Sequence, residues 1–255
     1  MADYESKARR AKLRLAVGGA AIVAALAVGG VLAVTAFDDG DTSGRAEGKA
    51  SPSAAPGTSS AAPRDKKYTP ATSRRVPLLK AAKHTDGIGT GFEHSSLGAT
   101  SAAVSYWEDL DLLDDVTARR QWSAIAAKDS PATVDQGVSD VRKLREAVGL
   151  PPSGGSPDNV TFTTSVKAVL TRSLERTGDV VDVWMVYDRY ASVRDKGADD
   201  SPLRDETTHL ILKWDSGDWK VTTEAKYASR VKGPVAYDPA SEYAWAAGWR
   251  EVSDG

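Results

Sequence analysis

The chain has no cysteine. That excludes disulfides, thiolate-held zinc, thiol nucleophiles and thiol-linked lipid anchors together. Histidine is scarce too. His84, His94 and His209 are the three present, and none stands at an HxxxH spacing that would aim two imidazoles at one metal. An excess of one charge is also lacking. Against 35 Asp and Glu there are 33 Lys and Arg, a net charge of -2, so there is no basic footprint and direct nucleic-acid binding is not expected.

Catalytic signatures are equally thin. No GxSxG motif presents a serine nucleophile. Gly87, Gly89 and Gly91 alternate, but without the Lys-Ser/Thr of a phosphate loop. They fit a chain passing close over another surface. Asp109, Asp111, Asp114 and Asp115 cluster without the glycine and closing glutamate of a calcium loop, and read better as a helix end followed by an N-cap. No metal or cofactor is expected.

One long hydrophobic run is present. Residues 15–37, LAVGGAAIVAALAVGGVLAVTAF, carry no charged side chain. As a helix they would reach roughly 34 Å, enough for the ~30 Å hydrocarbon layer. Lys7, Arg9, Arg10, Lys12 and Arg14 precede the run, and Asp38, Asp39 and Asp41 follow it. The basic side stays inside. The expectation is a single-pass anchor in the cell membrane, with a cytoplasmic tail (1–14), a transmembrane helix (15–37) and an extracytoplasmic remainder. The run exceeds the 7–15 residues usual for a cleaved signal, so the lipid bilayer is an expected partner.

Residues 38–75 are rich in Ser, Ala, Gly and Pro and poor in large apolar side chains. Such a segment cannot offset its ordering entropy by burial and reads as a disordered tether. Order is expected from Val76 onward. Ser95 or Ser96 caps a helix carrying Leu97, Val104, Trp107 and Leu110 at helical spacing to about residue 112. Asp114 or Asp115 caps a second, with Val116, Trp122, Ile125 and Ala126 inward. A third runs over about 133–148, ended by Gly149, Pro151 and Pro152.

The period then changes to two. Val160, Phe162, Val166, Ala168 and Leu170 alternate with polar residues. Val181, Val183, Met185 and Tyr187 line one face of a second strand, with Trp184 and Val186 on the other. A third strand covers about 206–214, and Asp215-Ser216-Gly217-Asp218 turns into a fourth. Asp182 and Asp188 share a face of the second strand. With Tyr190 they are the candidate polar groups of a pocket, a carboxylate there being a possible proton-transfer base. The aromatic tail from Gly233 onward is expected to dock as an extended piece plus a helix over 241–247, with Trp245 and Trp249 as candidate partner contacts.

Three helices, four strands and the hairpin LKWDSGDWKV together resemble the nuclear transport factor 2-like cone, an α+β fold in which three helices pack on a curved four-stranded antiparallel sheet. An anchor, a spacer and one such domain (76–255) resemble type IV secretion scaffold subunits and, more closely, single-pass conjugation proteins of Gram-positive mobile elements. GFEHSSLGATSAAVSYWEDL at 91–110, with Phe92, His94 and Ser95, resembles the start of that domain in actinobacterial members. Pro234-Val235-Ala236-Tyr237-Asp238-Pro239 and Gly248-Trp249 resemble its close. The resemblance implies a non-enzymatic scaffold without catalytic residues, forming homo-oligomers and contacting other secretion or conjugation subunits. The same layout also suits an accessory protein of a lipid-import system, or a small-ligand or ketosteroid-isomerase-like domain using the cone's mouth. Fold alone does not choose among them.

Overall fold

The computed structural model describes residues 68–194, 197–198 and 202–253. The apolar run and the tether up to residue 67 lie outside the described residues. Among the described residues, no helix is long and apolar enough to cross a membrane.

The first long helix, α1 (Ser96–Asp109), begins where Ser95 Oγ accepts from the Gly98 amide at 2.9 Å. Ala99, Ala102 and Ala103 are fully buried, so small side chains bring this helix close to the sheet. Gly98 is required at the entry: a Cβ there would fall 2.0 Å from the Glu93 carbonyl oxygen. Helix α2 (Asp115–Ile125) starts at Asp114, whose Oδ1 accepts from the Val116 and Thr117 amides at 2.9 Å. Its inward stripe is Ala118, Trp122 and Ile125. Val116, expected inward, is 55% exposed, because it sits two residues from Ala118 and so across the helix from that stripe. Helix α3 (Ala132–Ala147) crosses α2 at Gly137, where a Cβ would come 2.3 Å from the Trp122 ring.

A short hairpin, β1 (Lys83–Thr85) and β2 (Ile88–Thr90), precedes α1, with Asp86 and Gly87 at positive φ in its turn. The main sheet contains β3 (Val160–Ser173), β4 (Val180–Val193), β5 (Gly197–Ala198), β6 (Leu203–Asp215), β7 (Asp218–Val221) and, after the short helices α4 (Ala225–Ala228) and α5 (Glu242–Ala247), β8 (Arg250–Glu251). Its order is β7-β6-β4-β3-β8, all antiparallel, with β5 paired to β4. Ser216 and Gly217, both at positive φ, close the β6–β7 turn as the tight-turn sequence requires.

One face packs Val181, Val183, Met185 and Tyr187 of β4 against α1 and α2. The opposite face is covered as well. Leu170, Trp184 and Val186 pack on Ala244 and Trp249, while Val180 and Ile211 pack on Tyr227. Trp219 and Trp249 are both fully buried, each removing enough surface to contribute about 4 kcal/mol of transfer free energy.

The chain is α+β, but the expected fold needs correction. The sheet has six strands rather than four, and among the described residues the short helix α4 joins the three helices expected of the cone and the one expected over 241–247. The transmembrane helix expected over 15–37 is not among them. The sheet is covered on both faces because both are apolar. The alternation expected along β3 is also broken. A β-bulge between Val166 and Ala168 places Val166 and Val169 against the helices, and Ala168 and Leu170 on the other face. Residues 68–75, on the tether side of the expected boundary, form a strap. Thr69 and Thr72 cap a 3-10 turn at Pro70–Thr72, and Val76 bridges Val252.

Candidate functional site

Strand β4 carries the candidate carboxylates on the face away from α1–α3. Asp182 is 1% exposed. Its Oδ1 lies 2.8 Å from His209 Nδ1, and its Oδ2 accepts from Trp184 Nε1 at 2.7 Å. Trp184 and His209 are directly opposed on β4 and β6, and their rings stack with centroids 4.4 Å apart at 13°. Asp182 is therefore the diagonal cross-strand neighbour of His209, which is within reach on one sheet face. Both carboxylate oxygens are engaged, and His209 makes its hydrogen bond to Asp182 alone. The group orients an imidazole, and its burial, with Asp182 1% exposed, closes the remaining carboxylate lone pairs to a substrate. It sits under the C-terminal segment that packs on Trp184 through Trp249.

Asp188 lies six residues along the same strand, about 20 Å away by strand rise. Asp182 and Asp188 share a face but do not meet in one site. Asp188 receives the Lys167 ammonium at 2.9 Å, the Asp205 amide at 2.9 Å and the Tyr190 hydroxyl at 3.2 Å. Lys167 also binds the Asp205 carboxylate. Burial works to raise the Asp188 carboxyl. The Lys167 and Asp205 contacts outweigh it and hold the group below its ordinary value. Burial likewise works to lower Lys167, and its two carboxylate partners outweigh that and raise it. Asp188 and Tyr190 thus belong to an ion-paired corner at the β-bulge. Beside it opens a cleft of about 370 Å³, lined by Arg75, Ser165, Lys167, Asp205, Tyr237 and Glu251. Burial, then Glu251, pushes the Tyr237 phenol up to about 12. Its own polar groups largely satisfy one another: Arg75 pairs with Glu251 at 3.0 Å and Tyr237 donates to Glu251 at 3.3 Å.

Between the helices and the sheet lies a cavity of about 10 Å³ beside Trp107, Trp122 and Arg189. None of Asp182, Asp188 and Tyr190 lines it. No group of three or more metal-ligating side chains occurs among the described residues.

The tail residues differ from each other. Trp249 is fully buried and donates its indole N–H to the Val235 carbonyl at 2.7 Å, with Tyr237 edge-on at 5.6 Å. It faces its own domain. Trp245 is half-buried, stacked on Tyr68 at 5.1 Å and covered by Arg250 at 4.8 Å. Tyr243 on the same helix is 82% exposed. Sequence reasoning missed Tyr68 and Tyr243 as surface groups, and His209 as the partner of Asp182. The last needed the β4–β6 register.

Comparison of the chain with protein-family models, curated proteins and solved structures returned no match.

Proposed function

We propose that this chain is a non-enzymatic, membrane-attached scaffold subunit of a conjugative, type IV secretion-like transfer complex, acting through self-association and docking of other subunits. The observation that carries this reading is an apolar surface on the strap and C-terminal segment. Tyr68, Val235 and Tyr243 are 52%, 52% and 82% exposed, Trp245 stacks on Tyr68, and the Pro70–Thr72 turn packs against α5. Exposed apolar side chains gathered on one part of a fold mark contact surfaces more often than isolated ones do. The buried Asp182–His209 pair supports a role in contacts over one in turnover. The uncharged run at 15–37 and its flanking charges support attachment to the cell membrane, with the folded part outside.

The test is amine-reactive crosslinking of the full chain in native membranes, with transfer frequency measured after deletion of its gene. Trapped homo-oligomers or transfer subunits, together with lost transfer, are the expected results. A monomer without crosslinked neighbours and undiminished transfer would refute the reading.

A further inference from the structure

Between α1, α2, α3 and the end of β4 lies the small cavity noted above, and its polar lining is unbalanced. Trp107 is 2% exposed, and its indole Nε1 has no hydrogen-bond partner among the described residues. Arg189 Nε donates to Thr164 Oγ1 at 2.9 Å, but its buried Nη2 also has no hydrogen-bond partner among the described residues. The guanidinium is held in place by the rings of Trp107 and Tyr187, whose centroids lie 5.3 and 5.0 Å from its central carbon. Trp107 and Arg189, from different elements, thus each bring an unpaired buried N–H to the lining of one cavity of about 10 Å³, about the space of a single water-sized atom. The remaining wall is apolar, from Leu110, Leu112, Trp122 and Val141, apart from Asp111. The Oδ1 of Asp111 is already taken by the Leu113 and Asp114 amides at 2.8 and 2.7 Å.

Two orphaned donors, one of them cationic, are costly in a dry interior. An acceptor that carries negative charge and cannot donate relieves both at once, and the small volume between the aromatic rings suits a single atom. We propose that this cavity is a structural binding site for one monoatomic anion of the chloride type, bridging Trp107 Nε1 and Arg189 Nη2 and fastening α1 to β4. The site is independent of the scaffold reading, since its residues belong to the helix–sheet interior and not to the strap or the C-terminal segment.

Thermal unfolding of the full chain, followed by far-UV circular dichroism at constant ionic strength, tests it as sodium chloride replaces sodium gluconate. A site occupied only in the folded state raises the midpoint with chloride and then levels off. Bromide should act likewise. Trp107→Phe keeps the ring and removes the N–H, so its midpoint should be close to wild type in gluconate and should lose the chloride-dependent rise. Equal rises in wild type and Trp107→Phe, or no rise in wild type, would overturn the proposal. Bromide-soaked crystals measured at the bromine edge decide independently of any variant. An anomalous peak within hydrogen-bonding reach of both nitrogens is expected, and a map without one, or with a water in its place, would overturn the site.

Discussion

Asp182 and His209, on adjacent antiparallel strands, are joined at 2.8 Å beneath the ring of Trp184, which donates to the other oxygen of the same carboxylate. The cross-strand bond between His209 and this buried acceptor adds to the apolar residues around it in fixing the register of β4 against β6. Slipping the strands by one residue would send His209 to the helix face and leave Asp182 with Trp184 as its one donor.

Asp182→Ala should therefore lower stability by about 3 kcal/mol, since it strands two buried donors and leaves a cavity. Asp182→Asn, which keeps acceptor capacity, should cost less. Urea denaturation of both variants checks this. Equal and small losses, under about 1 kcal/mol, would show that the pair contributes no more than an exposed contact does.

The ion-paired corner gives a pH dependence. Asp188 is depressed in the folded state, so its contribution is present above the ordinary value of 3.8 and is lost as pH falls through the lower, folded value. Lys167 is raised, so its contribution is present below its ordinary value of 10.5 and is lost as pH rises through the higher, folded value. Asp188→Asn should flatten the acid limb of the stability profile while leaving the neutral plateau lower. An acid limb identical to wild type would assign the loss to other carboxylates.

Helix crossing at Gly137 leaves no room for a methyl group. Gly137→Ala places a Cβ 2.3 Å from the Trp122 ring and should cost about 1–3 kcal/mol by overpacking. Gly233→Ala, with nothing within 4 Å of the added atom, should be neutral. The two melting midpoints, measured side by side, separate a steric effect from a general glycine effect.

Trp249 and Tyr243 should split stability from assembly. Trp249→Ala removes a fully buried ring and a hydrogen bond to the Val235 carbonyl, costing about 3–5 kcal/mol. Tyr243→Ala removes an 82% exposed ring and should change stability by under about 0.5 kcal/mol while weakening self-association. Denaturation and crosslinking of both variants would show the split.

The sequence carried local structure well where one physical rule governed it. Ser95 and Asp114 cap α1 and α2 as their residue types require, Ser216-Gly217 turns β6 into β7, and the two faces of β4 follow its alternation. It failed where a pairing had to be known first. The bulge beside Lys167 moves Val166 and Ala168 to opposite faces without any mark in composition. His209 looked like an ordinary strand residue until the register set it beside Asp182. Arg189 sits at the charged end of a strand pattern, where charge suggests solvent, yet Trp107 and Tyr187 close over it. The strap at Tyr68 was hidden because its Ser, Thr and Pro match the tether, while tertiary contacts tie it down, among them Ala71 N–H to the Pro239 carbonyl at 3.0 Å and the Tyr68–Trp245 stack.

The cysteine-free chain permits one direct measurement of the scaffold claim. A single Tyr243→Cys substitution in the full chain, oxidised in native membranes, reports only on contacts made at that site, with Glu146→Cys on the exposed side of α3 as the control. A disulfide-linked dimer from position 243 and none from 146 is the expected result. No dimer from 243, or equal yields from both positions, would contradict self-association through this surface.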